Sequence, residues 1–261
     1  MTPTEDLIDV DHRFGGWIES SEDKTFGSAF PDSFLVPRDE WRDRIHEREE
    51  AGHSLKNYHP YVYNQHPESS CVYNAAAGCL TIRRNIQLGE KWQVVLSPMS
   101  GYGQVARYRH SGSTMWGALG WTSEHGLLPS DRYGGRFPHE FHENRPFDRR
   151  LPDGWEDTAR HFRAIEWFRV DSREQFASAL LHDMPICYGR SGHSICAEDL
   201  IYDTGRRRFY VRYCDSYGLG RGDDGRLYDS ERMWATGGAW ACRQVTQPDD
   251  PATFFPRDRN A

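Results

Sequence analysis

Residues 62–80 read Val62-Tyr63-Asn64-Gln65-His66-Pro67-Glu68-Ser69-Ser70-Cys71-Val72-Tyr73-Asn74-Ala75-Ala76-Ala77-Gly78-Cys79-Leu80. A loop rich in Pro, His and Tyr over 53–70 ends on Ser69-Ser70, residues that cap helix N-termini, and an Ala-rich helix of the kind buried in a core comes next. Cys71 then falls in the first turn, where the macrodipole and the unpaired N–H groups favour a thiolate. Taken alone, a cysteine at a helix start reads first as a small buried residue. With a partnered imidazole it becomes an activated nucleophile.

The partner is sought in two runs of alternating apolar residues, His193 to Tyr202 and Arg207 to Cys214, which flank Asp203-Thr204-Gly205 and read as a hairpin. A three-residue loop with Gly205 left-handed pairs Tyr202 with Arg206 and, further along the ladder, His193 with Asp215. On one face, the carboxylate would orient the imidazole and stabilise its charged form. A two-residue turn shifts the register by one and sends His193 to the opposite face. The pairing is conditional on the turn.

Outward from these two segments, 1–30 read as an irregular extension. Asp39 to Ala51 is a short charged helix with Trp41, Ile45 and Arg48 on one face and Gly52 as its stop. A further helix runs from about Met115 to Glu124, ending at Gly126. Gly134 to Gly154, rich in Pro, Arg, His and acids, suits a surface linker. Ser172-Arg173-Glu174-Gln175 is a capping box opening a helix with Phe176, Leu180 and Leu181 that stops before Pro185. The expectation is a mainly helical lobe over 31–150, a β-rich lobe over 151–246 and a tail over 247–261.

Composition sets the outer bounds. The 261 residues include Trp 9, Tyr 13 and Phe 13, too much aromatic mass for a disordered chain. A mean hydropathy of −0.81 with no long apolar stretch excludes a membrane-embedded protein. A net charge of −7 and a pI near 5.9 argue against nucleic acid as the main ligand. The N-terminus lacks the basic and apolar regions of a signal peptide, so a cytoplasmic location is expected. Six cysteines are too sparse for a disulfide scaffold, and the nearest metal-like grouping, Cys187, His193 and Cys196, lacks a second half. No metal and no organic cofactor is expected.

Several short segments together carry a resemblance. Val62-Tyr63-Asn64-Gln65 to Ser70-Cys71 resembles the Val-x-Asn-Gln-x-x-x-x-Ser-Cys segment of papain-like cysteine peptidases, whose Gln also lies six residues before the nucleophile. Val95-Leu96-Ser97-Pro98-Met99 resembles their Leu-Ser-(Glu/Pro)-Gln segment. Ser111-Gly112-Ser113 with the helix from Met115 resembles their Asn-Gly-Gly segment. Glu124 to Tyr133 resembles their Gly-Leu-x-x-Glu-x-x-Tyr-Pro-Tyr stretch. Gly192-His193 falls where their catalytic His opens a strand. Cys214-Asp215-Ser216-Tyr217-Gly218 to Gly225 resembles their Asn-Ser-Trp-Gly-x-x-Trp-Gly-x-x-Gly motif. The segments keep the family's order over roughly residues 30 to 235.

The resemblance implies an α+β, papain-like two-lobe fold, with a helical N-terminal lobe, a barrel-like β-rich C-terminal lobe and the active site in the cleft between them. It implies Cys71 as nucleophile, His193 as general base and acid, and Asp215 orienting the ring. Gln65 and the Cys71 N–H would form the oxyanion hole. Gly112, Ser113, Gly192 and Tyr217 would line the substrate cleft, and the partner would be a peptide or protein substrate. This chain also departs from the family. Asp215 replaces the usual Asn, Tyr217 the shielding Trp, and Val72 the Trp after the nucleophile. Glu68 and His110 replace both halves of a disulfide, in keeping with a reducing compartment. A longer barrel loop is missing before His193, and the usual long inhibitory prosegment is not recognisable in residues 1–36. Three readings stay open: a thiol peptidase, another acyl-transfer enzyme (amidase, isopeptidase or transglutaminase-like), and a catalytically silent binding module with an assembly partner.

Overall fold

The computed structural model describes residues 16–65, 68–89, 94–107, 110–130, 151–190, 192–218, 220, 222–231, 234 and 238–246. Of the expected linker only 151–154 fall within these, and the tail 247–261 lies outside the described residues.

Helix α1 (Trp41–Glu50) buries Trp41 and Ile45, and Arg48 reaches Asp183 Oδ1 at 2.6 Å. Helix α2 (Cys71–Leu88) is buried without a break from Cys71 to Ile82, as a helix apolar or small on every side must be. Ser70 holds the N-cap position but does not cap. Its Oγ accepts from Asn74 Nδ2 at 2.9 Å, a side-chain amide in place of a backbone N–H. Helix α3 (Met99–Val105) is short, and α4 (Met115–Glu124) falls where expected. Thr114 Oγ1 caps α4 by accepting from Gly117 N–H at 3.1 Å. After α5 (Trp155–Ala159), α6 (Arg173–Leu181) opens with Ser172 Oγ accepting from Gln175 N–H at 3.1 Å. Gln175 returns its side chain to Asp171 N–H (2.7 Å) instead of Ser172, so the capping box closes one residue early.

The strands are β1 (Ser28–Ala29), β2 (Ala164–Arg169), β3 (Ile186–Arg190), β4 (His193–Asp203), β5 (Arg208–Cys214), β6 (Arg226–Ser230) and β7 (Ala239–Val245). They form one seven-stranded sheet in the order β1-β2-β7-β3-β4-β5-β6, antiparallel except for the β1–β2 pair. A barrel needs its end strands to hydrogen-bond each other. Here β1 and β6 end the sheet, which is not closed; the barrel-like form expected for this lobe is corrected to an open sheet. Helix α2 packs on β4, β7 and β3, which brings the helix that starts at Cys71 against the strand that starts at His193.

The expected register of the β4–β5 hairpin is also corrected. Asp203 pairs with Arg208 and Tyr202 with Phe209, so the loop is longer than three residues. Run on unbroken, this register would put His193 and Asp215 on opposite faces of the sheet. Between Ala197 and Asp199 the register shifts by one: Asp199 faces Arg212 while Ala197 faces Tyr213. Glu198 is the extra residue of a bulge, and the bulge returns His193 to the face of Asp215. On its other side β4 pairs with β3, and Gly192, just ahead of β4, has φ +76°.

Candidate active site

His193 opens β4 and Asp215 follows the last residue of β5. Past the bulge, Cys196 faces Cys214, so the position in line with His193 is Tyr217 and Asp215 lies diagonally, two residues away on the same face. Both side chains are buried, and His193 Nε2 meets Asp215 Oδ1 at 2.9 Å. Tyr217 stacks on the imidazole with ring centroids 4.6 Å apart and planes 12° apart. Tyr217 N–H also donates to Asp215 Oδ1 at 3.3 Å. Burial of the ring opposes its positive charge. The hydrogen bond to Asp215, with the negative charge of Asp215 and of nearby Cys71, outweighs that penalty and pushes the imidazole up to about 10. With Nε2 given to Asp215, Nδ1 is the nitrogen left for Cys71.

Cys71 begins α2 and is fully buried. Gln65, also fully buried, is gripped at both ends of its amide. Nε2 donates to the Glu68 carbonyl at 3.1 Å, and Oε1 accepts from Ser216 Oγ at 2.5 Å. Gln65 N–H donates to the Ser216 carbonyl at 2.7 Å, and Asn64 forms an antiparallel bridge with Tyr217. The loop ahead of Cys71 is thereby stitched to the loop that carries Asp215. Ser216 was absent from the sequence-based site; its only signal was its place beside Asp215.

Gly112, Ser113 and Gly192 contact a segment to which the sequence assigned no role. Residues 16–18, in the expected irregular extension, lie across the site. Gly16 N–H donates to Cys71 Sγ at 3.3 Å, and Ser113 N–H donates to the Gly16 carbonyl at 2.7 Å. Ile18 N–H donates to the Ser113 carbonyl at 3.0 Å, and Trp17 N–H to the Gly192 carbonyl at 3.1 Å. Trp17 runs parallel to Ser113. A Cβ on Gly112 would lie 2.7 Å from the Gly16 oxygen, so only glycine lets the two backbones approach this closely.

All six cysteines are free and buried. Cys187 and Cys196 face each other across β3 and β4. The group of possible metal ligands found among the described residues is instead His59, Glu198 and Cys214. Glu198 already takes His59 Nδ1 at 2.5 Å and Arg226 Nε at 3.0 Å, with Arg212 also beside it. Two guanidiniums repel a divalent cation, so these residues suit an ion-pair network rather than a metal. The His59 contact was hidden in a stretch that reads as loop, because its partner lies far along the chain.

No protein-family model matches the chain, and no curated protein does. Among solved structures the fold is similar to xylellain, a cysteine protease from Xylella fastidiosa (16% identity over 90% of this chain and 96% of that one, TM-score 0.60). Procathepsin B S9 from Trypanosoma congolense is similar at 11% identity over 90% and 88% of the two chains, TM-score 0.62. The bromelain protease of Ananas comosus, solved with the E64 inhibitor, is similar at 15% identity over 80% and 97%, TM-score 0.55. The chain thus has the fold of papain-like cysteine proteases, an α+β arrangement.

Proposed function

We propose that this protein is a thiol peptidase that hydrolyses peptide bonds through an acyl-enzyme on Cys71. The observation that carries the reading is the buried His193 imidazole, bonded to Asp215 through Nε2 and left with Nδ1 for Cys71 at the first turn of α2. Sγ attacks the substrate carbonyl carbon, and His193 hands its proton to the leaving amine. A water molecule, deprotonated by the now neutral ring, then hydrolyses the thioester. The oxyanion of each tetrahedral intermediate takes hydrogen bonds from the Cys71 N–H and from Gln65 Nε2, whose position is fixed by Ser216 and Glu68. Asp215 holds the imidazole in one orientation, and Tyr217 covers one face of it. The substrate backbone runs along Gly112-Ser113 and the Gly192 carbonyl, and Tyr217 borders the cleft. A cytoplasmic location goes with this reading and suits six free thiols.

The test is covalent labelling of the reduced protein by an epoxide affinity reagent, with intact mass and peptide mapping as readouts. Stoichiometric labelling at Cys71 that is lost in Cys71→Ala and slowed in His193→Ala is expected, together with release of peptides from casein. Labelling of Cys71 no faster than that of the other thiols would instead favour the silent binding module.

A further inference from the structure

The side of the sheet that carries His193 and Asp215 also carries a second ion pair, Arg190 with Asp229. Arg190 ends β3 and lies directly opposite His193 in the β3–β4 register. Residues opposite each other across a ladder point to the same side, so the guanidinium leaves β3 on the side of the imidazole. It then reaches over β4 and β5, the strands that bring His193 and Asp215 to the site, and its Nη1 meets Asp229 Oδ1 on β6. The same Nη1 donates to Tyr213 Oη at 3.4 Å. Tyr213 stands two residues before Asp215 on β5, and Asp229 pairs with Val211, two residues before Tyr213, so all three point to this side.

Asp229 is itself held in place. Its Oδ2 accepts from Tyr188 Oη at 2.9 Å, its carbonyl accepts from Trp234 Nε1 at 3.3 Å, and the residue is buried. Phe176 of α6 packs edge-on to Tyr188 and stacks on Trp234, so α6 adds an apolar ring here. Burial opposes the charge of Arg190, and the carboxylate of Asp229 outweighs it. The titratable groups around His193 and Asp215 are therefore Cys71 of α2, Arg190 and Tyr188 of β3, Tyr213 of β5, Tyr217 after it and Asp229 of β6. Burial lifts the Asp229 carboxyl, and the like charge of Asp215 lifts it further. One guanidinium thus shares a face with two carboxylates, and it is bonded to the one that does not serve His193. A cation beside Asp215 would compete with the imidazolium for that carboxylate and, as a like charge, would disfavour the protonated ring.

We infer that Arg190 and Asp229 are positioning residues of the Cys71 site: Asp229 draws the guanidinium across the sheet and so leaves Asp215 to His193. The inference rests on the peptidase reading for its effect on hydrolysis but not for its effect on the imidazole. Neither residue touches substrate; both act through the His193–Asp215 pair.

The test uses the full chain and two readouts: the alkaline limb of Cys71 alkylation by iodoacetamide, read by peptide mapping, and hydrolysis of fluorescently quenched casein. Melting curves establish that each variant is folded. Asp229→Asn removes the charge that holds the guanidinium, and Arg190→Lys keeps the cation on a shorter side chain that stops short of Asp229. In both variants the limb should move down by about one pH unit or more. With KM unchanged, kcat for casein should fall more at about pH 9 than near neutrality, since only the protonated ring serves the reaction. Asp229→Asn combined with Arg190→Gln takes away both charges and should bring the limb back to its wild-type place. A tie that merely braces the strands would lower the melting temperature in all three variants and leave the limb alone. A limb that stays in place in Asp229→Asn and Arg190→Lys, or is displaced as far in the double variant, would overturn the inference. Should Asp229→Asn fail to fold, Arg190→Lys and the double variant decide it in the same way. Limbs that move as expected in a protein without hydrolysis would support the positioning role and sink the peptidase reading. Hydrolysis by the wild type with unmoved limbs in the single variants would overturn the positioning role and leave the peptidase reading standing.

Discussion

At His193 two effects pull against each other. Burial removes the ring from water and disfavours its charge, while the bond to Asp215 and the negative charge of Asp215 and nearby Cys71 win. An imidazolium held up to about 10 in the folded protein, against roughly 6.5 unfolded, adds stability that is complete below the unfolded value and fades as pH rises through about 10. Asp215→Asn keeps a hydrogen-bond acceptor beside Nε2 but removes the charge. The alkaline limb of Cys71 alkylation is expected to move to lower pH in this variant, and melting temperatures of wild type and variant should converge at high pH. A limb that stays in place would show that Asp215 only props up the ring. The composition of this pair was legible in the sequence; its geometry was not, since the expected loop length at Asp203 was wrong.

Among the elements, two helix starts that look alike in sequence behave differently. Ser172 caps α6 through the Gln175 N–H, whereas Ser70 at the head of α2 gives its oxygen to the Asn74 side chain. Ser172→Ala is therefore expected to lower stability by about 1 kcal/mol in urea unfolding, as loss of a cap does. Strand β4 carries a device that no pattern of apolar residues announces, the bulge at Glu198. It offsets the longer hairpin loop and leaves His193 facing Asp215. Period-two alternation reveals a strand, but an inserted residue within it inverts every face beyond, and only the partner strand shows where that happens.

Over the whole molecule, Glu198 joins His59 in the approach to α2, Arg212 of β5 and Arg226 of β6. Burial raises its carboxyl, but His59 and the two guanidiniums outweigh this and hold it below its usual range. Its contribution to stability is present above the unfolded carboxylate value of roughly 4.3 and is lost as pH falls through the lower folded one. Glu198→Gln leaves buried cations uncompensated, at an expected cost of about 3–5 kcal/mol at neutral pH, and the cost should shrink in acid. By itself the sequence determined the α+β class, the helix headed by Cys71, the α4 and α6 helices and the choice of Asp215 as the partner of His193. These rest on local propensity, capping residues and motif spacing, which act over a few neighbours along the chain. Only the tertiary structure decided the open sheet, the bulge that aligns His193, the Gln65–Ser216 clamp and the seat of Gly16-Trp17 across the thiol. Each of these depends on contacts between segments far apart in sequence, where backbone approach and burial, and not local pattern, set the free energy.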